Sequence, residues 1–189
     1  MGFGRRKLYV ALLAIGVMAG APWAVTQAVW GDTQDVGANA FSTGNVDIST
    51  SVTTALVTFS SMAPGDKVTA PITVSNAGTL ALRYAVSTAI SGSTVLSGGL
   101  TLGIKSGVTT CSNAGFGTDG TSLYSGSLTS GAVGSASQGA QAGDRSLAAS
   151  GTETLCFQVE LPSSASNTLQ SLTATATFTF ASEQTANNA

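Results

Sequence analysis

The sequence predicts an all-β protein, an antiparallel sandwich of two sheets, and three observations carry that prediction. Apolar and polar residues alternate with a period of two through several runs, as they do in strands that lay one face on a core. Turn residues separate the runs. No stretch after the first thirty residues shows a helical period of convincing length.

Taken in order, Val46 with Ile48 makes a short first strand, and Ala55, Val57 and Phe59 a second. Met62 to Asp66, MAPGD, is a tight turn, because Pro64 presets φ at one central position and Gly65 accepts positive φ at the next. Asp66 is placed to accept a backbone N–H there. In Lys67 to Ser75, Val68, Ala70, Ile72 and Val74 share a face. Pro71 lacks a ladder donor, so this strand belongs at an edge or holds a bulge. Asn76-Ala77-Gly78 turns the chain, and Leu80, Leu82, Tyr84, Val86 and Ile90 alternate again. Leu100, Leu102 and Ile104 follow, then Leu155, Phe157, Val159 and Leu161, stopped by Pro162. The cleanest run is the last: Leu172, Ala174, Ala176, Phe178 and Phe180 interleave with Thr173, Thr175, Thr177 and Thr179. That makes about seven strands, the usual complement of a sandwich.

Two regions stand outside this pattern. Gly107 to Ser150 is a Gly/Ser/Ala-rich excursion, read as flexible and unable to fill a core, with one edge strand near Tyr124 and Leu128. The other is Val29 to Ile48, VWGDTQDVGANAFSTGNVDI. It is polar and glycine-bearing, yet carries Val29, Trp30, Val36 and Phe41 with no evident core of its own. It is either a disordered leader, an ordinary first strand, or a segment whose apolar residues are covered by a partner.

Ahead of it lies an export signal: basic Arg5-Arg6-Lys7, an apolar run from Leu8 to Gly20, and a small-residue cleavage site ending at Ala28. Cleavage between Ala28 and Val29 would free the mature chain; an uncleaved signal would be its one route to a membrane. The expected organisation is 1–28 signal, 29–45 donor or linker segment, 46–182 sandwich with 107–150 as the excursion, and 183–189 polar tail. An exported chain with two cysteines, Cys111 and Cys156, most simply pairs them. Cys156 alternates with inward residues, so the pair should staple the excursion to the sheet's outer face.

Composition excludes much. Only 8% of the 189 residues are charged, against a usual ~25%. From Val29 onward four basic side chains face nine carboxylates, a net charge of −5. Nothing here is a basic patch for nucleic acid. With no histidine, no catalytic triad with a histidine base and no HExxH zinc site can be built. Asp119, Asp144, Glu153 and Glu160 are scattered rather than clustered. No catalytic residue, cofactor site or metal site is therefore assigned.

The junction around AVWGDTQDVGANAFSTGNVDIS resembles exported proteins cut by the SipW-type peptidase, with Trp30, Asp32, Thr33, Phe41, Gly44, Val46, Asp47 and Ile48 matching in place. The Pro64-Gly65-Asp66 turn, TVSNAGTLALRY and the ending TLQSLTATATFTFASEQ resemble the same group, the TasA, CalY and camelysin family. Trp30-Gly31 departs from it, standing where an aromatic pair is more common. The resemblance implies a jelly-roll sandwich of about seven to nine strands. It also implies an extracellular matrix protein that forms biofilm or cell-surface fibres. The N-terminal segment, with Val29, Trp30, Val36 and Phe41, would add as a donor strand to the next copy. The implied partner is the chain itself, with a related accessory or anchoring protein as a second candidate. Two rivals stand beside this reading: a camelysin-like extracellular metallo-endopeptidase, and a monomeric module that presents Gly107 to Ser150 to a carbohydrate or receptor.

Overall fold

The computed structural model describes residues 40–56 and 61–188. Ala28, Val29, Trp30 and Val36 lie outside the described residues, as do Val57 and Phe59 of the expected second strand. The chain divides into a unit up to Phe41 and a second unit, Ser42–Ala189. Of the first, Ala40 and Phe41 are described, and both are exposed.

The second unit is all-β, with nine strands in two antiparallel sheets. They are β1 (Ile48–Thr50), β2 (Lys67–Asn76), β3 (Leu82–Gly92), β4 (Thr101–Ser106) and β5 (Thr121–Ser127), then β6 (Ala132–Val133), β7 (Arg145–Leu147), β8 (Thr152–Glu160) and β9 (Ala174–Gln184). One sheet runs β1-β2-β8-β4-β5. In the other, β9 pairs with β3 from Leu82↔Gln184 to Gly92↔Ala174 without a shift, and β6 and β7 share the opposite side of β3.

The period-two runs place the core as expected. Ile72 and Val74 of β2, Leu102 and Ile104 of β4, and Leu155, Phe157 and Val159 of β8 meet Leu82, Tyr84 and Val86 of β3. Phe157 meets Phe178 edge to face, with ring centroids 4.9 Å apart, the offset that ring quadrupoles favour. Pro71 sits where β2 pairs β8 but has no described partner opposite, since β1 reaches only Val74–Asn76. The missing donor costs nothing there.

Both expected turns form. Asp66 N–H donates to the Ala63 carbonyl at 2.9 Å, Gly65 takes φ 99°, and the Asp66 carboxylate accepts from Ala63 N–H at 2.7 Å. After β2, the buried Asn76 does more than start a turn. Its amide donates to the carbonyls of Leu80 (2.8 Å) and Ala148 (3.0 Å), and its own oxygen accepts from Gly78 N–H (2.9 Å). The residues before β1 dock on this turn: Ala77 N–H donates to Asp47, Thr79 N–H to Asn45, and a Cβ on Gly44 would fall 2.6 Å from Leu80.

Four expectations need correction. The excursion carries the expected edge strand, β5, at Tyr124, but it is not a loose flap: it also carries β6 and β7, and it sends Leu128, Val133 and Leu147 into the core. Isolated apolar anchors in a Gly/Ser background vanish when composition is averaged over a window. Cys156 faces outward from its sheet as expected, yet it is buried, because residues 107–120 fold over it. Leu172 precedes β9 rather than opening it, while Glu183 and Gln184, assigned to a polar tail, belong to the strand. A short helix, α1 (Thr94–Gly99), joins β3 to β4; Ser93 caps it by accepting from Leu96 N–H. Six residues are too few to show a period.

Candidate functional site

The described residues leave one seam of the sandwich open. It lies between β9, at the end of one sheet, and β1 with the segment after it, at the end of the other. The groove there holds about 1030 Å³. Ile48, Val52, Leu56, Met62 and Val68 line one wall, and Ala174, Ala176, Phe178 and Phe180 the other, over a floor of Ile72, Leu100, Leu128 and Val159. Phe178 and Phe180 are half-buried: each packs on the core and also faces the groove.

Strand β9 sets the chemistry of this seam. Among the described residues it pairs only with β3. Just beyond its two ends, the Thr173 carbonyl accepts from Ser93 N–H and Thr185 N–H donates to Ala81. Odd-numbered positions therefore bond toward β3. The N–H and C=O groups of Ala176, Phe178 and Phe180 face the open edge, since orientation alternates along an antiparallel strand. A row of unpaired backbone groups beside an apolar slot can hydrogen-bond and bury an extended chain.

The opposite end of β9 is held shut. Buried Arg83 on β3 bonds the Glu183 carboxylate at 2.5 Å and the Asn188 carbonyl at 2.6 Å. Glu183 also accepts from Gly139 N–H. The Arg83 hydrogen bond, helped by Asn188, holds the Glu183 carboxyl below its ordinary range. Nearby, the Tyr84 hydroxyl donates to Glu153 at 2.7 Å, and Arg145 pairs with the same carboxylate. Burial first, and Glu153 second, push the Tyr84 phenol far up. The Glu153 hydrogen bond raises Arg145. These are fixed ion pairs, each partner already satisfied.

The outer face of the five-stranded sheet carries the staple. Cys111 and Cys156 are bonded across 45 residues of sequence. Beside them the Lys105 ammonium donates to the carbonyls of Phe116 (2.8 Å) and Asp119 (3.0 Å). Phe116 lies over Gly103, where any Cβ would strike its ring at 2.7 Å. Asp119 and Asp144, considered singly as loop carboxylates, each accept from backbone N–H groups. Glu160 pairs with Lys67.

Of the donor-strand residues, only Phe41 is described, and its side chain is 95% exposed. The accepting side was missed. Alternation identified Ala174, Ala176, Phe178 and Phe180 as inward residues, but it does not tell which strand is left without a neighbour.

Fold and seam together define a disulfide-stapled, two-sheet sandwich whose described residues leave one edge unclosed. A family model described as Camelysin metallo-endopeptidase matches residues 6–103. The chain belongs to that family, which places it among extracellular and cell-surface proteins. No curated protein matches it. Among the described residues no helix is long and apolar enough to cross a membrane.

The family description implies a metal, and the described residues do not assemble a site for one. The chain has no histidine, and both cysteines are in the disulfide. Among the described residues no three Cys, Asp or Glu side chains converge. A protease zinc draws its ligands from these types.

Proposed function

We propose that this chain is a secreted structural subunit of an extracellular biofilm or cell-surface fibre, joined by strand addition. The observation that carries the proposal is the apolar groove beside the edge of β9 that no described strand pairs. Val29, Trp30, Val36 and Phe41 give the leading segment the spaced apolar side chains such a groove would bury, and its backbone would satisfy the open N–H and C=O groups. A head-to-tail contact of this kind does not close on itself, so it propagates. The scarcity of charge lowers the repulsion between copies.

Electron microscopy of the chain from Val29, against one lacking Val29 to Phe41, tests this. Filaments are expected only from the longer form. Filaments of equal yield from the truncated form would refute donor-strand assembly.

The family's description supports a second reading, an extracellular peptidase. Purified protein that hydrolyses casein, with activity abolished by a chelator and restored by zinc, would establish it over the structural role.

A further inference from the structure

The two ends of the sandwich are not equivalent, and this sets how copies can join. Strand β9 starts, at Ala174, beside α1 and the end of β3. It finishes, at Gln184, beside Leu82 and the turn after β2. The first end exposes Val95 (59%) and Leu172 (37%), the two most exposed large apolar side chains among the described residues of the second unit. At the other end the chain enters this unit, with Gly44 against Leu80 and Asn45 hydrogen-bonded to Thr79.

From this asymmetry we infer that the incoming strand runs antiparallel to β9, and that the Val95–Leu172 end of one copy meets the Asn45–Thr79 end of the next. The inference rests on the strand-addition reading above. A chain that fills its own groove must finish at its own entry end, so it runs parallel to β9. Two copies that exchange segments with entry ends facing do the same, and that pair is closed by its twofold symmetry. Only a segment that leaves the groove at the Val95–Leu172 end has its own body beyond that end. It then runs against β9, and the acceptor's own segment stays free for a third copy. Direction thus separates a polymer from a monomer or a dimer.

Two lengths agree with this. Val29 to Phe41 is 13 residues, about 43 Å when extended, and the groove runs along Ala174 to Phe180 of β9, about 23 Å, at ~3.3 Å per residue. The segment is therefore long enough to run the full length of the groove. Phe41 is only four residues from Asn45, a reach of about 14 Å at most. With Phe41 in the groove, the donor's body lies beside the end where its segment leaves, and Val95 and Leu172 are the apolar surface at that end. Antiparallel pairing is also the more stable ladder.

Two double variants of the chain from Val29 test the direction, oxidised after assembly and read on non-reducing gels. Phe41→Cys with Leu172→Cys should give an intermolecular ladder. Phe41→Cys with Ser182→Cys should stay monomeric. Cross-linking at 182 as strong as at 172, whether in dimers or within one chain, overturns the direction and leaves strand addition standing. Cross-linking at neither site overturns strand addition itself. Val95→Asp, at an exposed site, should leave the melting curve unchanged and cut filament yield tenfold or more. Unchanged yield overturns the end-to-end contact.

Discussion

Replacing Asn76 with alanine should cost this sandwich about 3 kcal/mol. The side chain is 2% exposed and has no access to substitute water. It makes two well-placed amide bonds, to Leu80 and Ala148, and accepts one from Gly78. Each is worth about 1 kcal/mol net, and a buried group left unpaired costs about 1–3 kcal/mol. The damage should also spread, because Asn76 fastens the turn on which residues 45–47 dock to the loop that leads into β8. Urea unfolding of the chain from Val29 would measure the loss. Asn76→Asp provides the sharper control, as it keeps the shape but turns a carboxylate toward the Leu80 and Ala148 carbonyls. That acid would be favoured when protonated, so its folded pKa should lie above its unfolded one. The variant should then be least unstable at acid pH and lose stability as pH rises through the carboxylate range. A loss under 1 kcal/mol for Asn76→Ala, or an Asp variant whose deficit is flat from pH 3 to 8, would refute the wiring role.

Cys111→Ser should lower stability by about 4 kcal/mol, the chain-entropy value for a loop of this length, with no change in the strand content seen by circular dichroism; a loss under 1 kcal/mol would show that residues 107–120 hold the sheet without the staple. Because burial and Glu153 raise the Tyr84 phenol, the folded state keeps its proton while an unfolded tyrosine gives it up near pH ~10. That contribution is full below the unfolded pKa and is lost as pH climbs past it, so unfolding should become easier above about pH 10. Tyr84→Phe should flatten that alkaline limb; an unchanged slope would assign it to other groups.

The inward faces of β2, β3, β4, β8 and β9 were legible because period-two alternation is a local signal, and so were the Pro64-Gly65 turn and the cysteine pair. Inside Gly107–Ser150 only the edge strand at Tyr124 was legible; β6 and β7 were not, because Leu128, Val133 and Leu147 each stand alone among small residues, and tertiary packing rather than propensity decides them. Asn76 was legible as a turn former, whereas the Leu80 and Ala148 carbonyls it binds are brought to it by topology. The candidate site divides the same way. Orphan apolar residues at Val29 to Phe41 advertise a need for cover, but the groove that could supply it exists only once β9 is known to end a sheet. Family membership adds a name that includes a metallo-endopeptidase, and among the described residues no three of the remaining donors, the carboxylates, converge to hold its metal.

The sheet edges themselves argue about what β9 is for. Proteins usually guard exposed edges with proline, lysine or a bulge. The part of β2 that no described strand pairs on its outer side has Pro71 and Lys67. At the far end of that sheet, the pairing of β5 with β4 is broken by a register shift at Ile104/Lys105. From Ala174 to Phe180, β9 has only Ala, Thr and Phe, and its pairing with β3 is unbroken. An unguarded edge beside an apolar groove is a hazard unless something is meant to pair with it. Adding a guard should therefore block assembly and spare the fold. Ala176 is the place for it: its N–H faces the open edge, so Ala176→Pro removes no bond to β3. The variant should melt within a few degrees of the parent, a shift worth less than ~1 kcal/mol, and form no filaments. Thr177→Pro, one residue along, removes a β3-facing donor and should destabilise the sheet by more than 1 kcal/mol. Normal filaments from Ala176→Pro would show that assembly uses some surface other than this edge.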